Sequence, residues 1–220
     1  MDNGQLIKEM NNLNQLVLDM GDRVENTIHV TFSTLMKGDI DNADKIIKDD
    51  YLIDRQALKI SEECLKLLAL YQPVASDLRF ITTALSIVTD LERIGDLAVD
   101  VANRIKELGN GSNIEPIDDL AKIVVIVERM MRQSLSSYVR RDASQSKEVI
   151  TLKMEAIKLL DIVNEEILAF AKQNTNNIKN SISFALLGYH VERIACHVTN
   201  IAEDVVYMVD AELIKYQNKN

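Results

Sequence analysis

The sequence is poor in the residues that interrupt helices and in those that crosslink small secreted folds. Its 220 residues include only 7 Gly, 2 Pro and 2 Cys, and no Trp. Cys64 and Cys196 cannot form a disulfide framework, which favours a reducing compartment. The longest uncharged stretch, residues 180–191, is well short of the roughly 20 residues of a membrane span, and the first twenty residues lack the apolar segment of a secretory signal. We therefore expect a soluble cytoplasmic protein.

The sequence also lacks an excess of positive charge. It has 34 Asp and Glu against 25 Lys and Arg, a formal net charge of −9. A nucleic-acid binder needs clustered cations to displace the counterions of the phosphate backbone, so we expect no nucleic-acid partner. The hydrophobic content of 47% is ordinary for a packed protein and argues against disorder.

Helical periodicity is the main structural signal. No glycine occurs from residue 112 to residue 187, and apolar residues recur there at steps of three and four, which is typical of amphipathic helices. Gly38–Asp39, Pro73, Pro116 and Asp142 mark the breaks. The predicted helices lie near residues 5–37, 41–71, 74–108, 116–140, 143–173 and 178–216. The sequence therefore predicts an all-α bundle of six long helices.

The two halves of the chain resemble each other. Residues 91–96 (LERIGD) match residues 191–196 (VERIAC) at an offset of 100. The apolar stripe of the second helix recurs 103 residues later, and the capping aspartates Asp39 and Asp142 also correspond. These matches predict a tandem repeat of two antiparallel three-helix bundles. We place the first unit at residues 1–110 and the second at residues 111–220.

Carboxylates occupy helix faces where apolar residues are expected. Asp50 and Asp54 lie on the apolar side of the second helix, and Glu92, Asp96 and Asp100 form a ridge on the third. A carboxylate on a core-facing stripe costs several kcal/mol unless it is paired, protonated or bound to a cation. We therefore expect an all-oxygen metal site that suits Mg²⁺, Mn²⁺, Ca²⁺ or iron. The alternative is that these residues are solvated charges on an exposed face.

Other polar residues can be solvated charges, ion-pair partners or catalytic groups. Asp90 lies about 160° around the helix from Glu92 and is expected to be solvated. Arg93 and Arg193 are expected to pair with carboxylates of neighbouring helices. None of the three histidines follows a glutamate by three residues, so the chain lacks the signature of a di-iron oxidase. We expect no catalytic residues and no nucleotide cofactor, because no nucleophile signature or Gly-rich phosphate loop occurs.

Short motifs in both halves resemble the PhoU family of phosphate-uptake regulators. They are residues 75–79 (ASDLR) and 90–96 (DLERIGD), then residues 192–195 (ERIA) and 200–207 (NIAEDVVY). The resemblance spans essentially the whole chain. It implies a cytoplasmic, non-catalytic regulator of phosphate uptake and homeostasis that represses phosphate-starvation two-component signalling.

The resemblance also implies partners and metals. Family members link the ATPase of a phosphate ABC transporter to a sensor histidine kinase, which implies membrane contact only through these partners. A homodimer is implied as well. Some members bind iron or zinc clusters through Glu/Asp-x-x-x-Asp motifs, which correspond here to Asp50/Asp54 and Glu92/Asp96.

The second half departs from this pattern. Glu192 is kept, but Cys196 stands where an aspartate is expected, and Asn200 and Lys153 align with carboxylates of the first half. We hypothesise that the Lys153 ammonium pairs with Glu192 in place of a metal. A bound metal ion, whether iron, zinc, manganese or magnesium, is then expected in the first half.

A rival hypothesis gives the second half a softer metal site. Glu192 and Cys196 would be its ligands, with Glu203 as a further candidate, whereas His197 lies on another side of the helix. A different function also stays open at this point, namely a metal-binding carboxylate bundle with storage or metal-dependent hydrolytic activity.

Overall fold

The computed structural model describes residues 3–37, 39–109 and 118–212, and these ranges form helices joined by short turns without any strand. The all-α prediction is confirmed. The elements are α1 (Asn3–Lys37), α2 (Ile40–Asp49), α3 (Tyr51–Tyr71), α4 (Ala75–Leu108), α5 (Asp118–Arg140), α6 (Ala143–Gln173), a 3₁₀ turn (Thr175–Asn177) and α7 (Ile178–Asp210).

Two aspartates cap helices as the sequence predicts. The side chain of Asp39 accepts a hydrogen bond from the backbone N–H of Asn42 at 3.1 Å. Asp142 accepts bonds from the N–H groups of Ser144 and Gln145 at 2.9 and 3.1 Å. These side chains satisfy amide groups that have no partner within the first turn of a helix. Gly38, the other half of the first predicted break, lies outside the described residues.

The predicted helix over 41–71 is divided in two at Asp50. The backbone of Asp50 keeps helical angles (φ −58°, ψ −38°). Its carbonyl accepts the N–H of Ile53 at 2.8 Å and that of Asp54 at 3.3 Å, so the turn tightens locally from an i+4 to an i+3 pattern. The chain direction is kept, and α2 and α3 together fill the place of one helix.

The last helix is shorter than predicted. It ends at Asp210, where Ala211 adopts a left-handed conformation (φ 57°) and its N–H bonds to the carbonyl of Tyr207, a common way to terminate a helix. Residues 213–216 of the predicted helix lie outside the described residues. So do residues 116 and 117 at the predicted start of the fourth helix.

The two repeats share one continuous hydrophobic core, because buried residues of every long helix belong to a single cluster. In the first repeat α4 packs against α1, α2 and α3, and in the second α7 packs against α5 and α6. The repeats meet where α4 packs on α7 and where α1 packs on α5. The predicted pair of three-helix units is confirmed, with α2 and α3 acting as one. None of the described helices is long and apolar enough to cross a membrane.

Helices α4 and α7 run antiparallel, in a register set by polar pairs. Ser86 donates to Asp204 at 2.5 Å near the start of α4, and Asp100, further along, lies beside His190 near the start of α7. Because the two helices are also related by an offset of 100, Asp90 corresponds to His190. The interface therefore has an approximate two-fold axis near Gly95.

Candidate metal centre

The structure brings three of the predicted ligands together. Asp50 joins α2 to α3, Asp54 lies in the first turn of α3, and Asp96 lies midway along α4. One carboxylate oxygen from each lies within 4.8 Å of the other two, and these are the only such set of three His, Cys, Asp or Glu side chains within the described ranges. We call these residues the Asp50 cluster. Three oxygen ligands converging from two directions suit a hard or borderline divalent cation.

A glycine makes this approach of the helices possible. A Cβ atom on Gly95 would lie 3.0 Å from Ile53 Cδ1 and 3.3 Å from Asp50 Oδ1. Both distances are shorter than ordinary van der Waals contacts. The absence of a side chain at Gly95 therefore lets Asp50 lie against α4.

Burial and repulsion perturb Asp50. Desolvation, followed by the negative charges of Asp54, Asp96 and Glu92, raises the pKa of Asp50 from 3.8 to about 6. Burial disfavours the ionised form, and each neighbouring carboxylate adds to that effect. A bound cation would reverse the sign of this interaction, because it favours ionised ligands.

Glu92 and Arg93 lie at the margin of the Asp50 cluster. Glu92 is close enough to raise the pKa of Asp50 but is not one of the three converging residues. Arg93 donates to Asp96 Oδ2 at 3.0 Å within α4, so the expectation that Arg93 pairs with a neighbouring helix is wrong. This pair is largely exposed, with side-chain exposures of 62% and 42%. Its strength is therefore limited by solvent.

Asp100 lies apart from the other predicted ligands. It is exposed on α4, and its Oδ2 atom is 3.7 Å from His190 Nδ1 on α7. The predicted ridge of Glu92, Asp96 and Asp100 therefore faces two different helices. Glu92 and Asp96 lie near Asp50, whereas Asp100, one turn further along α4, lies near His190 of α7. Burial lowers the pKa of His190, which the charge of Asp100 partly offsets.

The second half has a different arrangement. Lys153 and Glu192 line one small cavity together with apolar side chains such as Ile157 and Ala195. Within the described part of the chain, however, these two charges do not form an ion pair, so the expected Lys153–Glu192 pair is not formed. Cys196 is half-buried. As metal ligands, Glu192 and Cys196 stay predictions.

Asp90 and His197 are the polar residues that the sequence reasoning missed. Asp90 is buried, with 9% exposure, so the expectation that it is solvated is wrong. Its Oδ1 atom lies 2.7 Å from His197 Nδ1 and accepts a hydrogen bond from Asn200 at 3.0 Å. Asp90 thus holds α4 to α7. The repeat offset gave a usable signal for these polar contacts. It aligns Asp90 of α4 with His190 of α7, and Asp100 with Asn200, so each of these carboxylates has a His or Asn at the equivalent position of the second half.

His29 also has a partner that the sequence did not reveal. Its Nδ1 atom lies 2.9 Å from Glu128 Oε1, across a cleft of about 310 Å³ between α1 and α5. Burial raises the pKa of Glu25 in this cleft, and Arg132 opposes that effect. Charged side chains of both signs, with carboxylates in excess, therefore line the cleft where the two repeats meet.

Comparison with known proteins identifies relatives over nearly the whole chain. The sequence profile of the PhoU domain matches residues 17–105 and again residues 120–205. The phosphate-specific transport system accessory protein PhoU homolog of Aquifex aeolicus is 31% identical over 97% of this chain and 97% of its own length. That of Clostridium acetobutylicum is 31% identical over 94% of each.

Solved structures show the same architecture. The crystal structure of the phosphate transport system regulatory protein PhoU from Streptococcus pneumoniae superposes with a TM-score of 0.89 at 27% identity, covering 95% of this chain and 99% of that one. PhoU from Pseudomonas aeruginosa gives 0.89 at 29% identity, over 93% and 99%. With its two matched PhoU domains and near-full-length relatives, the chain belongs to the PhoU family.

Proposed function

We propose that this protein regulates phosphate uptake and phosphate homeostasis as an accessory protein of a phosphate transport system. One observation carries the proposal: both PhoU domains match, and relatives named as phosphate transport accessory proteins align over nearly the whole chain. The proposed role is regulatory and non-catalytic.

The finer form of this proposal is an adaptor that represses phosphate-starvation signalling. In the cytoplasm it binds the ATPase subunit of a phosphate ABC transporter and a sensor histidine kinase, and it meets the membrane only through them. Long helices suit such a role, because they present extended surfaces to two partners at once. A homodimer belongs to the same proposal.

Capture of the protein from phosphate-replete cells tests the adaptor role. We expect both the transporter ATPase and a histidine kinase to be recovered, and we expect deletion of the protein to activate starvation genes despite ample phosphate. A deletion strain that still represses these genes in ample phosphate would contradict the proposal. Metal-dependent turnover of phosphoesters by the purified protein would favour the hydrolytic alternative.

We also propose that the Asp50 cluster binds a metal ion, with Glu92 as an additional ligand. Three features support this: the three converging carboxylates, the raised pKa of Asp50 and the close approach that Gly95 permits. Ions compatible with oxygen ligands include iron, manganese and magnesium, and zinc also accepts carboxylates. The first half is favoured over the second because three carboxylates converge there, whereas Lys153 occupies the position in the second half that corresponds to Asp50.

Elemental analysis and metal titration of matched variants test this site. We expect Asp50→Ala to lose the metal bound by the wild-type protein, and Glu192→Ala, at the position in the second repeat that corresponds to Glu92, to retain it. Cys196→Ser should behave like Glu192→Ala. Equal losses in both repeats would contradict the one-site proposal and favour the second site built on Glu192 and Cys196.

A further inference from the structure

Helix α3 has a second apolar face that points away from the core. Its buried face consists of Ile53, Ala57, Ile60, Cys64 and Leu67. On the opposite side, Tyr51, Leu58 and Leu65 are exposed by 54%, 62% and 60%. We call these three residues the outer stripe of α3. Single exposed leucines are ordinary, but three large residues at a spacing of seven lie within about 40° of one another, so they line one side of the helix where a second helix can lie against them.

Unpaired charges flank this stripe on one side. Glu62 and Arg55 lie about 40° and 60° around the helix from Leu58, in the same direction. Both are exposed, and neither forms an ion pair or a side-chain hydrogen bond with any other residue that the structure describes. By contrast, the neighbouring Glu63 is held by Lys66 at 2.8 Å. Two free charges of opposite sign, seven residues apart, are therefore available to a partner.

We propose that the outer stripe of α3 binds the same stripe of a second copy of this chain, with the two helices antiparallel. Leu58 then packs on Leu58 of the second copy, and Tyr51 packs on its Leu65. In a two-fold antiparallel pair, residues on the same flank of both helices meet, so Arg55 comes opposite Glu62 of the second copy. The contact extends over about 21 Å of helix. This inference rests on the homodimer included in the proposed function and assigns its surface.

The second repeat explains why α3, and not α6, fits a second copy. At the offset of 103 residues, the outer stripe corresponds to Met154, Asp161 and Leu168. Met154 and Leu168 are also exposed, at 57% and 46%, but a carboxylate stands at the centre. Self-pairing of α6 would bring Asp161 against Asp161 of the second copy, which is unfavourable. Helix α6 therefore serves as the control for experiments on α3.

Charge exchange at the flank tests the proposed register. We expect Arg55→Glu and Glu62→Arg each to weaken self-association of the full-length protein by about tenfold in low salt, because each places like charges opposite one another at two symmetric positions. The double variant Arg55→Glu/Glu62→Arg should restore association. Sedimentation over a concentration series provides the measurement. Failure of the double variant to recover would overturn the antiparallel register.

Substitution at the centre of the stripe tests the surface itself. Leu58→Asp should abolish association, whereas Leu168→Asp on α6 should leave it unchanged. All four positions are exposed, so circular dichroism should show unaltered helicity in every variant. A dimer that tolerates Leu58→Asp would overturn the surface but keep the homodimer. A wild-type protein that stays monomeric at all concentrations would overturn both, while leaving the adaptor role to its own capture experiment.

Discussion

At the scale of single residues, the Asp50 cluster depends on Gly95, which has no side chain, and on Asp50, whose pKa is raised. Gly95 lets Asp50 approach α4, and the resulting burial raises the pKa of Asp50 to about 6. The structure brings Asp50, Asp54 and Asp96 together. The sequence alone grouped Asp50 with Asp54, and Asp96 with Glu92 and Asp100, because helical periodicity fixes which residues share a face of one helix. It misplaced Asp90 because projection of one helix does not tell which other helices cover its remaining faces.

The perturbed pKa of Asp50 predicts a stability change with pH in chelator-treated protein. The folded state keeps a proton on Asp50 up to about pH 6, whereas the unfolded state releases it near 3.8. Stability therefore falls as pH rises through this range. We expect Asp50→Asn to be about 1 kcal/mol more stable than wild type at neutral pH, since solvent screening reduces the effect of a half-buried group.

Urea unfolding with chelator present measures this difference. Below pH 3.8 the two proteins should converge, because Asp50 is then protonated in both states. Asp54→Asn, at an exposed position, should give a smaller gain. A wild-type protein that gains stability relative to Asp50→Asn between pH 4 and 6 would reverse the predicted sign.

Gly95→Ala tests whether close packing of the helices positions the metal ligands. The added methyl would displace Ile53 or Asp50, so we expect metal affinity to fall by about tenfold. Gly188→Ala is the matched control, because its Cβ meets only Leu160 Cδ1 at 3.0 Å and no carboxylate. Metal titration by calorimetry should separate the two variants. Equal affinities would show that Asp50 does not need this contact.

At the scale of helices, most of the architecture follows from the sequence, and the exceptions have local causes. The caps at Asp39 and Asp142 form as predicted, since a capping side chain and its target amides lie within three residues. The division at Asp50 was not predicted, because one residue with helical angles leaves the apolar periodicity unbroken. The pairing of α4 with α7 depends on contacts between residues more than a hundred positions apart, such as Asp90 and His197.

Asp90→Ala tests the polar contact between these helices. It removes the acceptor for Asn200 and the partner of His197 in a largely buried setting, so we expect a loss of about 2 kcal/mol in the free energy of unfolding. Asp100→Ala removes an exposed carboxylate from the same helix pair, and we expect it to cost less than about 0.5 kcal/mol. Chemical denaturation compares them. Similar losses would mean that burial does not distinguish the two aspartates.

At the scale of the whole molecule, the two repeats share one hydrophobic core. Their buried residues belong to a single cluster, and α4 and α7 each bury residues against the other repeat. A repeat unit on its own would expose that surface to water, at roughly 25 cal/mol for each Å² of apolar area. We therefore expect the two repeats to fold together and not as independent units.

Separate expression of residues 1–110 and 111–220 tests this cooperativity. We expect each fragment to lack a sharp unfolding transition, and the full chain to unfold in one step when near- and far-UV circular dichroism are monitored together. Mixing the fragments should recover part of the cooperative signal. Two separate transitions in the full chain would contradict a shared core.

The approximate two-fold relation between α4 and α7 also limits which helices can pair with each other. The first repeats of two molecules could instead pair with each other, which would place α4 beside a second α4. In the same register, Asp90 would then face Asp100 of the other molecule, carboxylate against carboxylate. In the native pair, Asp90 meets His197 and Asn200, and Asp100 meets His190. Divergence between the repeats thus favours the pairing of a first repeat with a second repeat over the pairing of two first repeats.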